Sequence, residues 1–156
     1  MSSFFNRFIF SAYFCVVVSV KQTELYPKVL KELNYPFGDI FIFNGFVISE
    51  IKNGMNISWK NHGKRITEDI SCYLGTDGSD IIYISNRVNS YAIMAVDWLK
   101  FFKSNYYLKA YYVVSGSPSS KLNLLVENLF FNDKIKSFNS LFEAVNWAKK
   151  GNLEIA

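Results

Sequence analysis

The chain has 156 residues and a net charge of +4; half of it is hydrophobic and 18% aromatic. That length makes one domain of ordinary size, able to bury a core without a disulfide or metal staple, and the composition is too apolar for a disordered chain. The positive charge is scattered over Lys60, Lys64 and Arg65, Lys100 and Lys103, Lys134 and Lys136, and Lys149 and Lys150. Nothing there makes the single basic face of a nucleic-acid binder.

Residues 1–36 are set apart from the domain that follows. Phe8 to Val20 reads FIFSAYFCVVVSV, uncharged, with Arg7 before it and no acid before Glu24. The run is shorter than the ~20 apolar residues of a membrane-spanning helix, but its length suits the core of an export signal. A small-x-small cleavage pattern is poorly formed, and Ala12, Tyr13 and Phe14 before Cys15 make no lipoprotein box. Three readings stay open: an export signal or anchor, residues upstream of the true start, or an extra buried strand or helix. Only the first would bring the chain to a membrane; the location otherwise expected is cytoplasmic. After the run, Val29, Leu30 and Leu33 sit at helical spacing between Pro27 and Pro36, which predicts a short helix.

Residues 37–151 form the domain proper. Asp39–Phe43 (DIFIF) and Phe46–Ile51 (FVISEI) flank Asn44-Gly45, a pair that tolerates the positive φ angles of a tight hairpin turn. Asn53-Gly54 marks a second turn, with a few extended residues from Met55 to Ser58. Trp59, Ile66, Ile70, Tyr73 and Leu74 fall near one helical face, and Gly75 and Gly78 end that helix. Asp80–Ser85 (DIIYIS) is a continuous apolar run of buried-strand length. A loop follows, then a helix with Asp97 as candidate cap before Trp98, Leu99, Phe101 and Phe102. Leu108–Ser115 is the next strand. Leu122, Leu125, Val126, Leu129 and Phe130 give an amphipathic helix. Ile135–Phe138 is a short strand. Ser140 and Glu143 make a capping box for a last helix with Leu141, Val145 and Ala148 inside, stopped at Gly151. Strands alternating with helices after a hairpin imply an α/β fold: a mixed, mostly parallel sheet with an N-terminal β-hairpin and flanking helices.

Four stretches resemble the small STAS/SpoIIAA-like domains of Bacteroidetes-type bacteria: the hairpin FGDIFIFNGFVISEI, NGMNISW leading into a helix, YISNRVNSYAI after the central strand, and the ending FNSLFEAVNWAKK. In the last, Phe138, Ser140, Leu141, Glu143, Ala144 and Trp147 carry the likeness, which extends over about three-quarters of the chain. The resemblance implies a SpoIIAA-like sheet, no cofactor, and a regulatory role exercised by binding a protein partner, a nucleotide or a lipid. In anti-sigma antagonists of this kind a phosphorylatable serine opens a helix after a central strand. The nearest counterpart is Ser90, although Asn89 replaces the aspartate of that pattern and Tyr91-Ala92 its Ser/Thr-Gly.

The loop SNRVNSY follows the C-terminal end of a parallel strand, where open α/β sheets place ligands. Its candidate partner- or ligand-binding residues are Asn86, Arg87, Asn89, Ser90 and Tyr91. Arg87 can grip a carboxylate or phosphate bidentately, and Ser90 can cap a following helix or hold an anion at its free amides. The alternative is that Asn86, Asn89 and Ser90 close turns while Arg87 holds a neighbouring carboxylate. The loop SGSPSSK (115–121) lacks P-loop spacing and reads as a helix-capping loop. No catalytic or metal-binding set is expected: Cys15 and Cys72 form no CxxC pair, no GxSxG is present, and His62 stands alone, read as a solvated helix residue. Glu68 and Asp69 are adjacent, so a helix points them apart, into solvent. Most of Phe101, Phe102, Tyr106, Tyr107, Tyr111 and Tyr112 are expected in the core, any surplus forming a patch for a partner or lipid.

The functional expectation is a non-enzymatic regulatory or protein-interaction domain. Two alternatives stand beside it: a small-molecule module for a lipid or nucleotide, and a membrane-anchored or exported domain.

Overall fold

The computed structural model describes residues 17–116, 124, 126–129, 131 and 135–153. The backbone makes one mixed sheet of six strands, β1 (Lys31–Tyr35), β2 (Gly38–Ile42), β3 (Phe46–Ile51), β5 (Ile82–Asn86), β7 (Ala110–Val114) and β8 (Lys136–Phe138), in that spatial order. β1–β2 and β2–β3 pair antiparallel, and β3–β5, β5–β7 and β7–β8 pair parallel. A two-stranded parallel piece joins β4 (Asn56–Ile57) to β6 (Ala92–Ile93). The expected hairpin turns at Asn44-Gly45, where Gly45 has φ 86° and the Phe43 amide bonds the Phe46 carbonyl at 2.9 Å.

One expected helix is a strand. Residues 31–35 extend β2 antiparallel, with Leu33 opposite Ile40 and Tyr35 opposite Gly38. Leu33 and Tyr35 lie two apart and pack on the same cluster, so a period of two beats the helical spacing of Val29, Leu30 and Leu33. Pro36 falls in the turn after this edge strand, where it removes no ladder bond.

Both faces of the sheet are covered, and strand alternation sorts the side chains. Phe41, Phe46, Ile48, Ile82, Ile84 and Val114 face one way, against Val20 and α3 (Leu141–Leu153). Leu141, Ala144, Val145 and Ala148 supply that helix's buried stripe. Each large member contributes ~1.5–3 kcal/mol by leaving water. The Glu143 amide donates to Ser140 Oγ at 3.2 Å, one half of the expected capping box. Helical backbone continues through Gly151 to Leu153, so glycine alone does not stop it.

Ile40, Ile42, Val47 and Ile51 face the other way, against α1 (Lys64–Leu74), whose Ile66 and Ile70 are buried. A wider π-type turn, Trp59–Gly63, leads into α1, and Gly75 at φ 65° closes it. His62 helps build that turn: its Nδ1 accepts the Ser58 amide at 3.0 Å and its ring meets Phe37 edge-on. It is therefore more than a solvated helix residue. Asp69 likewise accepts the Tyr35 hydroxyl at 2.6 Å, tying α1 to the edge strand. α2 (Trp98–Lys103) sits beside α1 over the same face, Phe101 packing edge-on to both Trp59 and Trp98. Of the expected core aromatics, Phe101, Tyr111 and Tyr112 are buried, while Phe102 and Tyr107 are exposed. Residues 124 and 126–129 are helical; the rest of that expected helix and most of the 115–121 loop lie outside the described residues.

Candidate functional site

The alternation that sorts the core also divides the SNRVNSY stretch. Asn86 is the last residue of β5 and points with Ile82 and Ile84; Arg87 points with Tyr83 and Ser85. The two side chains therefore enter opposite layers of the molecule.

Arg87 is buried at 6% exposure. Its Nη2 lies 2.8 Å from Glu127 Oε1 and 3.1 Å from the Tyr111 hydroxyl, and its Nε is 3.3 Å from Ser85 Oγ. Tyr111 donates to Glu127 Oε2 at 3.0 Å. Ser85 Oγ and the Tyr91 hydroxyl share a 2.6 Å bond, and the guanidinium lies over the Tyr91 ring at 5.5 Å. Desolvation opposes the charge on Arg87, but Tyr111, Tyr91 and Glu127 outweigh it and hold the guanidinium protonated beyond its ordinary range. Burial pushes the Tyr111 and Tyr91 phenols up, so both stay neutral hydroxyls. Arg87 thus holds a neighbouring carboxylate, forty residues away in sequence, and pins helical residues 126–129 to the sheet.

The other loop residues do different work. Asn86 donates through Nδ2 to Glu50 Oε2 and to the Val18 carbonyl, both at 2.9 Å. Asn89 is exposed and donates to the Ile51 carbonyl at 3.0 Å. Ser90 is exposed, and its carbonyl accepts the Gly54 amide at 2.8 Å. It does not open a helix: β6 follows it, because Ala92 and Met94 bond the Met55 and Ile57 carbonyls at 2.9 Å each. Neither the capping role expected of Ser90 nor an anion seat at its following amides is formed, since those amides are in a strand ladder.

Asp97 likewise does not take the capping role expected of it. It accepts no capping bond from its own helix. Its Oδ2 instead takes the Trp59 amide at 2.8 Å, so it caps the neighbouring turn, and Lys100 Nζ sits 3.0 Å from its Oδ1. Burial pushes its carboxyl up, but the Trp59 amide and Lys100 pull harder and hold it below the ordinary carboxylate range.

A cavity of about 110 Å³ lies between α1, α2 and the sheet. Its sheet wall is Val47, Ile51 and Tyr83; Ile66, Ile70 and Phe101 form the helix wall. Tyr91 and Ile93 close one side, Ser58, Thr67 and Ser71 add hydroxyls, and Trp59, Trp98 and Asp97 also touch it. Among the described residues no lysine, arginine or histidine lines it, and no cluster of potential metal ligands occurs. Tyr91 is the single candidate from the SNRVNSY stretch that reaches this space. The cavity was not legible in the sequence, because its walls come from segments as distant as Val47 and Phe101. The one local signal was the apolar crowding around Trp98, from Met94 to Phe102.

No protein-family model matches the chain, and neither a curated protein nor a solved structure matches it.

Proposed function

We propose that the domain is a non-enzymatic binding module that takes an uncharged, largely apolar small molecule into the cavity beneath α1 and α2. The carrying observation is the lining: apolar walls with a few hydroxyls and no basic side chain among the described residues. A phosphate or carboxylate buried there would lose hydration without gaining a counter-ion, a cost of several kcal/mol. This favours the lipid-like alternative over the nucleotide one. The one carboxylate at the wall, Asp97, is already engaged by Trp59 and Lys100, so it offers little to a cationic ligand. In size the space is comparable to an apolar cavity of roughly 150 Å³ that accepts benzene; a single ring or a short acyl chain fits that scale.

Native mass spectrometry of the purified chain tests this. The expected spectrum carries a neutral adduct, or gains one on adding benzene or 1-hexanol, and Ile70→Trp, which fills the space, abolishes it. Apo-protein that takes up neither compound would overturn the reading.

A regulatory, protein-binding role of the STAS/SpoIIAA-like type is the second reading. What favours it is surface: Met94, Val96, Leu99 and Phe102 are exposed apolar chains just after exposed Asn89 and Ser90, and apolar surface of this kind marks partner sites. In that reading Asn89 and Ser90, not Arg87, meet the partner.

A further inference from the structure

Glu50 breaks the pattern of its strand. It lies in phase with Phe46 and Ile48, on the face that packs against Val20 and α3, and is only 8% exposed. Its oxygens are held by Ser19 Oγ at 2.6 Å, the Val20 amide at 2.7 Å and Asn86 Nδ2 at 2.9 Å. All three donors are neutral, and no lysine, arginine or histidine pairs with Glu50 among the described residues. A buried carboxylate without a cation is costly. The same cluster carries a second deficit: Asn86 is fully buried, and its Oδ1 has no hydrogen-bond partner among the described residues. The pocket is thus short of one positive charge and at least one donor.

The nitrogen of Val20 shares Glu50 Oε2 with Asn86 Nδ2 and so stands at both deficits. Its side chain is fully buried in the core and its N–H already aims at Glu50. As a peptide nitrogen it brings one proton and no charge. As a chain terminus it brings three protons and a full positive charge. The sequence before it has the charge order of an export leader: Arg7, then the uncharged run Phe8–Val18, then Ser19, with charge resuming at Lys21; of the small-x-small pair only Ser19 is small, Val17 holding the other position.

We propose that the chain is processed between Ser19 and Val20, and that the new Val20 ammonium seats on Glu50 and Asn86. The step is hydrolysis of one peptide bond by a leader peptidase of the exporting membrane. Water adds across the Ser19–Val20 amide, leaving a carboxylate on Ser19 of the leader and an ammonium on Val20. Glu50 loses the Ser19 hydroxyl and Asn86 loses the Val18 carbonyl. The ammonium replaces the first with a charged donor and turns a spare donor toward the Asn86 acceptor. Cleavage precedes folding, so the burial of Val20 in the folded domain does not shield the bond.

The test expresses the full chain in an export-competent bacterial host, with a second preparation retained in the cytosol by a host lacking the export machinery. N-terminal sequencing and intact mass of the exported product should give a chain beginning at Val20, and its free thiols should fall from two to one as Cys15 leaves with the leader. An uncut product, or one cut elsewhere, overturns the proposal. The seat has its own readout. An amine beside a buried carboxylate has a folded pKa above its free value of about 8, so its stabilisation is complete below that pH and lost as pH rises through the folded value. The melting temperature of the exported form should drop more steeply between pH 8 and 10 than that of the retained form, and Glu50→Gln should remove the difference. Parallel pH profiles of the two forms would refute the seat even with the cut in place.

Discussion

At the scale of single residues, the buried ion pair decides what Arg87 does. With Arg87 and Glu127 almost wholly inside, truncating one partner leaves a naked charge in the core. Arg87→Ala should cost about 3–5 kcal/mol in urea unfolding. Arg87→Met combined with Glu127→Leu should recover most of that loss; a single variant with an unchanged midpoint would contradict the pairing. Arg87 was visible in the sequence as a lone guanidinium in a polar loop, but its partner was not, since nothing local links positions 87 and 127. Glu50 left a clearer trace: an acid in phase with Phe46 and Ile48 in a strand buried throughout. Asp97 carries a pH signature. Its carboxyl is held below its ordinary range, so its stabilisation is present above about pH 4, the unfolded value, and fades as pH falls through the lower folded value. The melting gap between the native chain and Asp97→Asn should be full at pH 5 and shrink as the pH falls below about 4; a constant gap would speak against the Trp59 cap.

At the scale of elements, turns and caps set the register of what they join. Gly78 is held at φ 94°, and a Cβ there would run into the Tyr107 carbonyl oxygen. The Tyr107 amide bonds the Asp77 carbonyl at 2.8 Å and the Lys109 amide bonds the Ile81 carbonyl at 2.9 Å, so the approaches to β5 and β7 are stitched together here. Gly78→Ala should therefore destabilise by more than the ~1–3 kcal/mol of backbone strain alone, measured by thermal melting, while Gly54→Ala, with open space around its Cβ, should cost only the strain. The hairpin, the apolar strands and the Ser140 cap were readable because each signal is local: a turn pair, a run of β-branched residues, a hydroxyl three residues before a glutamate. β1 was missed because three apolar residues fit a helical period by chance, while the competing alternation rested on Leu33 and Tyr35 only. Its strand state is fixed by pairing with β2, which is tertiary information.

At the scale of the whole molecule, the order of apolar runs was enough to place five strands of one sheet with helices on both faces. It could not say how well those helices fill the space above the sheet. The gap beneath α1 and α2 arises because α2 has only six residues and α1 begins with a wide turn, so two short elements cover a face that one long helix would fill. The functional account depends on that gap being a site for uncharged molecules. Titration of the chain with 1-hexanol and with hexanoate, followed by NMR of the Ile66, Ile70 and Val47 methyls that wall the cavity, tests it most directly. The account predicts saturable shifts with the alcohol and at least tenfold weaker binding of the carboxylate, from a charge-burial cost above about 1.4 kcal/mol. Equal affinity for the two, or shifts confined to methyls away from the cavity, would contradict it.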